Sequence, residues 1–263
     1  MGHTASHAYR TALVTGASRG IGASFAQLLA KAGTELVVVA RDAQRLEDLA
    51  VRLRDKHKTV VEVLAADLTE PGGLSAVEAR LTDPARPVEL LVNNAGFGTT
   101  GRFAELDADR EEREVRLNVL ALMRLAHAAL GGMLERGHGG ILNVSSMAGF
   151  VPSPGGATYA ATKAFVTSFS ESLHAEVRRR GVHVTALCPG FTRTGSQAEA
   201  GYDAGHLPGF AWLASDDVAA AGLAAVAAGR ALCVPGLQYK AAAQLTRFAP
   251  RTLIRSAAER FGT

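Results

Sequence analysis

Along most of the chain, short unbroken apolar runs alternate with longer stretches in which apolar residues recur every three or four positions. The runs are "TALVT", "ELVVVA", "VVEVLAA", "VELLVN", "GGILNVS", "VHVTALC" and "ALCVP". Most are continuous rather than alternating, the mark of strands covered on both faces. The helical stretches between them fall at about 21–32, 42–56, 70–81, 107–136, 157–180 and 215–229. This order predicts right-handed crossovers and an α/β fold: one domain over residues 1–263, with a doubly wound parallel sheet of about seven strands and helices on both faces. Three segments stand outside the pattern: residues 1–9, expected to be flexible; 192–214, a Gly-rich connection without a period; and 236–263, a C-terminal extension. Connections as long as 192–214 tend to be functional in compact domains.

Composition narrows the class. The 263 residues are 48% hydrophobic and 20% charged, the balance of a soluble globular protein. The net charge of +3, from 28 Lys and Arg against 25 Asp and Glu, is spread along the chain, which argues against a nucleic-acid partner. The first ten residues lack the apolar run of a signal peptide, and no stretch reaches roughly 20 uninterrupted apolar residues, so a cytoplasmic location is expected. Cys188 and Cys233 have no thiol or His at ligand spacing and read as small buried apolar residues; no metal is expected. His127 and His174 fall within helical stretches and have no part in the chemistry below.

The first strand runs directly into "TGASRGIG", where Gly16, Gly20 and Gly22 are spaced G-x-x-x-G-x-G around Ala17, Ser18, Arg19 and Ile21. Glycine permits a tight turn and close backbone approach to a pyrophosphate, and the helix that follows offers amide donors and a partial positive charge. A strand, glycine turn and helix at the start of such a sheet predict a dinucleotide site. The second strand ends at Ala40 with Arg41 after it, where an acid would favour NAD(H) and a cation the 2′-phosphate of NADP(H). Asp42 opens a helical run and reads as its N-cap, so Arg41, with Arg19 as a second cation, favours NADP(H) over NAD(H).

Tyr159 and Lys163, in "TYAATKAF", are four residues apart and share a helical face. An ammonium beside a phenol stabilises phenolate and is expected to lower its pKa toward the range useful in proton transfer. Ser146 lies thirteen residues before Tyr159; Ser145 would point to the opposite face of an extended strand. Asn118 stands among apolar residues inside a helix, where its competition for backbone hydrogen bonds calls for a reason.

Together these motifs, in order over about residues 10–235, resemble the short-chain dehydrogenase/reductase family, in its NADP-preferring form. The resemblance implies a single Rossmann-like domain and hydride transfer between a nicotinamide cofactor and a carbonyl or alcohol. It gives Ser146 the substrate oxygen, Tyr159 the transferred proton, Lys163 the nicotinamide ribose and the tuning of Tyr159, and Asn118 a water linking Lys163 to solvent. Asp67 and Leu68 resemble the adenine contacts; Asn94, Ala95 and Gly96 of "NNAG" line the cofactor; Pro189, Gly190, Thr192 and Thr194 of "CPGFTRT" hold the carboxamide. Residues 192–214 then become a candidate substrate lid, and a homodimer or homotetramer through the two long central helices is implied.

Met147, Phe150, Val151, Phe191 and Trp212 are apolar candidates for the substrate pocket and hint at a hydrophobic carbonyl: a 3-oxoacyl chain, a steroid-like ketone or a polyketide intermediate. The competing function is a non-catalytic NADP(H)-binding regulator on the same fold. The extension carries Arg247, Arg251 and Arg255 beside Leu245, Phe248, Leu253 and Ile254, broken by Pro250. It reads as a helix pair completing the fold or covering substrate, with peripheral membrane contact as the alternative.

Overall fold

The computed structural model describes residues 9–194 and 208–249, with 252 and 254–256. Seven parallel strands, in the order β3-β2-β1-β4-β5-β6-β9, form the sheet: β1 Thr11–Thr15, β2 Glu35–Ala40, β3 Val61–Ala65, β4 Leu90–Asn93, β5 Gly139–Val144, β6 Val182–Leu187 and β9 Leu232–Cys233. Each coincides with one of the seven apolar runs. The helices are α1 Gly20–Lys31, α2 Ala43–His57, α3 Pro71–Thr82, α4 Ala108–Val115, α5 Leu122–Arg136, α6 Ala157–Val177, α7 Ser215–Ala227 and α8 Leu237–Phe248.

Strand pleat divides the core. From β1, Ala12 and Val14 join Phe25 and Leu29 of α1, Leu46 of α2 and Val218 and Val226 of α7 on one face. Leu13 points the other way, to Val77 of α3, Leu125 and Met133 of α5 and Leu173 of α6. Both faces being apolar is why the runs do not alternate. Continuous helix over Ala108–Arg136 has the length and mean hydropathy to cross a membrane, yet its inner face, Leu122, Leu125, Ala126, Ala129 and Met133, is buried in this core.

Three features depart from expectation. Tyr9, placed in the flexible N-terminus, is 5% exposed, and its backbone carbonyl accepts from Thr34 Oγ1 at 3.1 Å; a buried aromatic anchors the chain one residue earlier than the polar composition implied. The connection from 192 to 214 begins and ends in a small parallel ribbon, β7 Thr192–Arg193 with β8 Leu213–Ala214; two-residue strands have too few positions to show a period, and residues 195–207 of this candidate lid lie outside the described residues. The extension opens with α8, which stops before Pro250, with Ala249 in extended backbone as a residue preceding proline prefers. The side chains of Arg247 and Phe248, and all of Arg251, lie outside the described residues.

All seven strands run the same way, so their C-terminal ends share one edge. The strand order reverses between β1 and β4, and a crevice at such a switch point is where α/β sheets bind ligands. Beneath it Asn93 and Asn143, paired in register, form a buried polar rail: Asn93 Nδ2 donates to Asn143 Oδ1 at 3.0 Å, and Asn143 Nδ2 to Ser170 Oγ of α6 at 3.0 Å.

Candidate active site

The first βα turn is packed too tightly for side chains. Gly16 has φ +64°, and a Cβ at Gly22 would lie 2.1 Å from the Gly16 carbonyl oxygen. Arg19 precedes α1 in extended backbone without capping it, and the first turn carries no acid. The helix therefore presents its positive end with no resident carboxylate, which suits an anionic group. Ala17 and Gly22 are buried, Ser18 and Ile21 partly so.

The turn after β4 is stitched to the glycine turn. Asn94 and Ala95 donate their N–H groups to Thr15 Oγ1, each at 3.0 Å, and Asn94 Nδ2 donates to the Thr15 carbonyl at 2.9 Å. From the other side Thr194 packs over Gly20, so the segment after β6 meets the first turn. Thr192, 4% exposed, donates its hydroxyl to the Gly190 carbonyl at 3.0 Å, and the Pro189 carbonyl accepts from Met147 N at 3.0 Å.

Arg41 is exposed at the end of β2 and lies 3.8 Å from Asp67 Oδ2. Burial pushes the Asp67 carboxyl up, but hydrogen bonds from Thr69 and the charges of Arg41 and Arg113 more than offset it, and the net direction is down. Leu68 is buried beside it. Asp42 caps α2, accepting from Arg45 N at 3.0 Å, as its position in the sequence implied.

Tyr159 and Lys163 lie on the first turns of α6 and face the ends of β4 and β5. Lys163 is 5% exposed, donates to the Val144 carbonyl at 2.9 Å and lies 5.6 Å from the Tyr159 ring centroid. Gly98 also packs against that ring, where a Cβ would come within 2.7 Å of it. The neighbouring serines divide: Ser145 Oγ donates to the Lys163 carbonyl at 2.8 Å, whereas Ser146 hydrogen-bonds Tyr159 and accepts from Ala148 N at 3.1 Å.

Asn118 occupies a π-helical insertion, Arg116–Ala121, between α4 and α5. Such insertions often mark functional positions. Its Oδ1 accepts from Phe97 N at 3.2 Å, while Nδ2 donates to the Phe97 carbonyl at 2.8 Å and to Thr162 Oγ1 at 3.1 Å. It thus ties the loop after β4 to α6, beside Gly96, where a Cβ would lie 3.4 Å from Lys163 Nζ.

One expectation is corrected. Burial raises the Tyr159 pKa, and the Glu114 charge adds to this, while the Ser146 hydrogen bond lowers it; the net direction is up, not down. The Lys163 ammonium lies 5.6 Å from the ring centroid, and its own pKa is lowered by burial to about 8.

Several contributors are not legible in the motifs. Thr15 and Thr162 hold the two Asn residues in place. Tyr239 of α8 accepts from Phe191 N at 3.1 Å and donates to the Ala211 carbonyl at 2.6 Å, with its ring against Gly190. Its one signal in the sequence is that it is the first aromatic after the last strand. Of the apolar pocket candidates, Met147 and Phe150 pack with Tyr239 against Cys188 and Val234, and Phe191 meets Trp212 with centroids 5.9 Å apart; all five, Val151 included, are partly buried.

Residues 10–204 match the sequence profile of the short chain dehydrogenase family. The chain belongs to that family. It is 36% identical over 185 residues to the 3-oxoacyl-acyl-carrier-protein reductase of Vibrio cholerae, covering 70% of this chain and 74% of that one. The structure of a short-chain dehydrogenase from Sphingobium yanoikuyae in complex with NADPH superposes with a TM-score of 0.84 at 40% identity, over 93% of this chain and 95% of that chain. An alcohol dehydrogenase from Comamonas testosteroni specific for bulky-bulky ketones superposes with a TM-score of 0.78 at 35% identity, over 92% and 95%.

Proposed function

We propose that this short-chain dehydrogenase is an NADP(H)-dependent oxidoreductase that interconverts a hydrophobic ketone or aldehyde and its alcohol. The observation that carries the reading is the meeting of Ser146, Tyr159, Lys163 and Asn118 beside the glycine turn, from three separate parts of the chain: the end of β5, the first turns of α6 and the π-helical insertion before α5. The site fits the cofactor: the open positive end of α1 suits a pyrophosphate, Arg41 a 2′-phosphate, and Asp67 with Leu68 an adenine edge. Pro189, Gly190, Thr192 and Thr194 would hold the carboxamide, and Lys163 the ribose. When bound, the cofactor supplies or accepts the hydride.

The protein's part is orientation and proton transfer. Ser146 donates to the substrate oxygen as negative charge grows there. Tyr159, kept a phenol at neutral pH by its burial, gives its proton to that oxygen in reduction and recovers it from the alcohol in oxidation. Lys163 steadies the tyrosyl oxygen while the proton is away, and Asn118 holds the loop against which both are set.

The partly buried rings of Phe191 and Trp212, with Met147, Phe150 and Val151, favour an apolar substrate. The similarity to a 3-oxoacyl reductase and to an enzyme specific for bulky ketones points the same way. We assign α8 to completing the domain beside the substrate, through Tyr239. A homodimer or homotetramer is proposed from Leu120 and Met123 before and on α5 and Phe165 on α6, all exposed apolar residues; a single-chain mass in solution would contradict it.

The deciding assay follows reduced-cofactor consumption with a panel of hydrophobic ketones. Turnover with NADPH well above that with NADH is expected. Binding of NADPH without turnover of any ketone would instead favour the regulatory reading.

A further inference from the structure

One buried cluster outside the groups above faces the same Tyr159–Lys163 pair. Glu111 and Glu114, on α4, are 8% and 0% exposed, and Thr99, 5% exposed, lies between them. Its N–H donates to Glu114 Oε2 at 2.9 Å. Its hydroxyl is within hydrogen-bonding distance of Glu111 Oε1 and of Glu114 Oε2, the latter at 2.9 Å. A threonine hydroxyl has one proton to donate. It cannot donate to two carboxylates at once, so the second contact needs a carboxyl proton and the pair holds one proton between two acids.

A second observation agrees. Glu111 Oε2 and Glu114 Oε1 are buried with no hydrogen-bond partner among the described residues, so a second negative charge there would gain no hydrogen bond at either oxygen. The cluster also adjoins the reacting groups. Thr99 follows Gly98, which packs on the Tyr159 ring, and Glu114 comes four residues before Asn118. Among the described residues, the titratable groups whose charges act with that of Glu114 are Glu111 on its own helix and Tyr159 and Lys163 on α6; residues 94–101 of the intervening loop include none.

We propose that Glu114 is a positioning residue for carbonyl reduction: its carboxylate, formed when the proton held with Glu111 and Thr99 is lost, is the countercharge that keeps Lys163 an ammonium and Tyr159 a phenol. That is the state from which a proton is given to a carbonyl, so the inference rests on the role assigned to Tyr159 above. The signs follow from charge. An anion at Glu114 raises the pKa of both Tyr159 and Lys163. Burial, with the Glu111 charge, in turn raises Glu114 itself to about 7, so the anion forms as pH rises through neutrality.

The test titrates tyrosinate absorbance in wild type, Glu114→Gln and Glu111→Gln, subtracting for each the same protein carrying Tyr159→Phe. NADPH-dependent ketone reduction is followed over the same pH range. In Glu114→Gln, the Tyr159 ionisation and the alkaline limit of kcat/KM move together to lower pH by about 0.5 to 1 unit, the size of one charge at this remove. In Glu111→Gln neither moves, because Glu114 keeps its charge at alkaline pH. A purely structural carboxylate would lower kcat in both variants without displacing either curve. An unmoved Tyr159 in Glu114→Gln overturns the proposal.

If the Gln variant does not fold, wild type decides through the infrared carboxylic C=O band. A band present at acidic pH and lost with a midpoint near neutrality is expected; no such band overturns the proposal. Neither optical measurement needs a substrate. Failure of every ketone would therefore sink the functional reading while leaving this one open to its own test.

Discussion

The two sides of the crevice are built by different rules. On the side of β4, β5 and α6, the polar groups assigned to the reaction are held by named partners: Lys163 by the Val144 carbonyl, Asn118 by both backbone groups of Phe97, Ser146 by the Ala148 N–H. On the side of β6 and α8, partly buried rings meet at van der Waals distance, and a single hydroxyl, Tyr239, spans from Phe191 to Ala211. Proton transfer needs fixed heavy-atom geometry. Recognition of an apolar substrate needs only a shape, which small changes can adjust.

Substitutions that cut into one side or the other should separate these roles. Lys163→Met is the severest: it removes the charge beside Tyr159 and the ammonium–Val144 bond, and kcat should fall by about 10²-fold or more. Steady-state kinetics at neutral pH measure it. Tyr239→Phe keeps the ring against Gly190 but removes the hydroxyl that accepts from Phe191 N–H and donates to the Ala211 carbonyl. Losing the two hydrogen bonds of the Tyr239 hydroxyl should cost about 1 to 3 kcal/mol in denaturant unfolding and raise KM for large ketones several-fold, while kcat stays within about twofold. A fall in kcat comparable to that of Lys163→Met would erase the proposed division. The smallest effect belongs to a residue on neither side. Asp42→Ala removes the cap of α2, costs about 1 kcal/mol in stability and leaves kcat and both KM values unchanged.

The same contrast governs what could be read from the sequence. All seven strands were legible, because burial on both faces writes a continuous apolar run, and the six helical stretches that hold α1 to α7 were legible from their period. The placing of the polar side was legible too, since Tyr159 and Lys163 are separated by one helical turn and Ser145 and Ser146 by one step of a pleat. The other side was not. Strands β7 and β8 have two residues each, and Tyr239 acts through main-chain groups 48 and 28 positions away, distances that leave no local pattern. The sign of the Tyr159 shift was missed for a related reason: helical spacing brings a Lys near a Tyr but does not say whether charge or burial prevails. Arg41, by contrast, was legible from its place after β2, although its weak pairing to Asp67 could not be foreseen.

The central claim is that Tyr159 moves the proton at a bound-cofactor edge prepared by the rest of the chain. Its most direct test pairs two measurements on Tyr159→Phe: NADPH affinity from quenching or enhancement of cofactor fluorescence, and single-turnover reduction of the best ketone from the panel. The account predicts affinity within a few-fold of wild type and a reduction rate lower by about 10²- to 10⁴-fold, the usual contribution of a positioned general acid. Equal single-turnover rates in wild type and Tyr159→Phe, with NADPH bound to both, would contradict it.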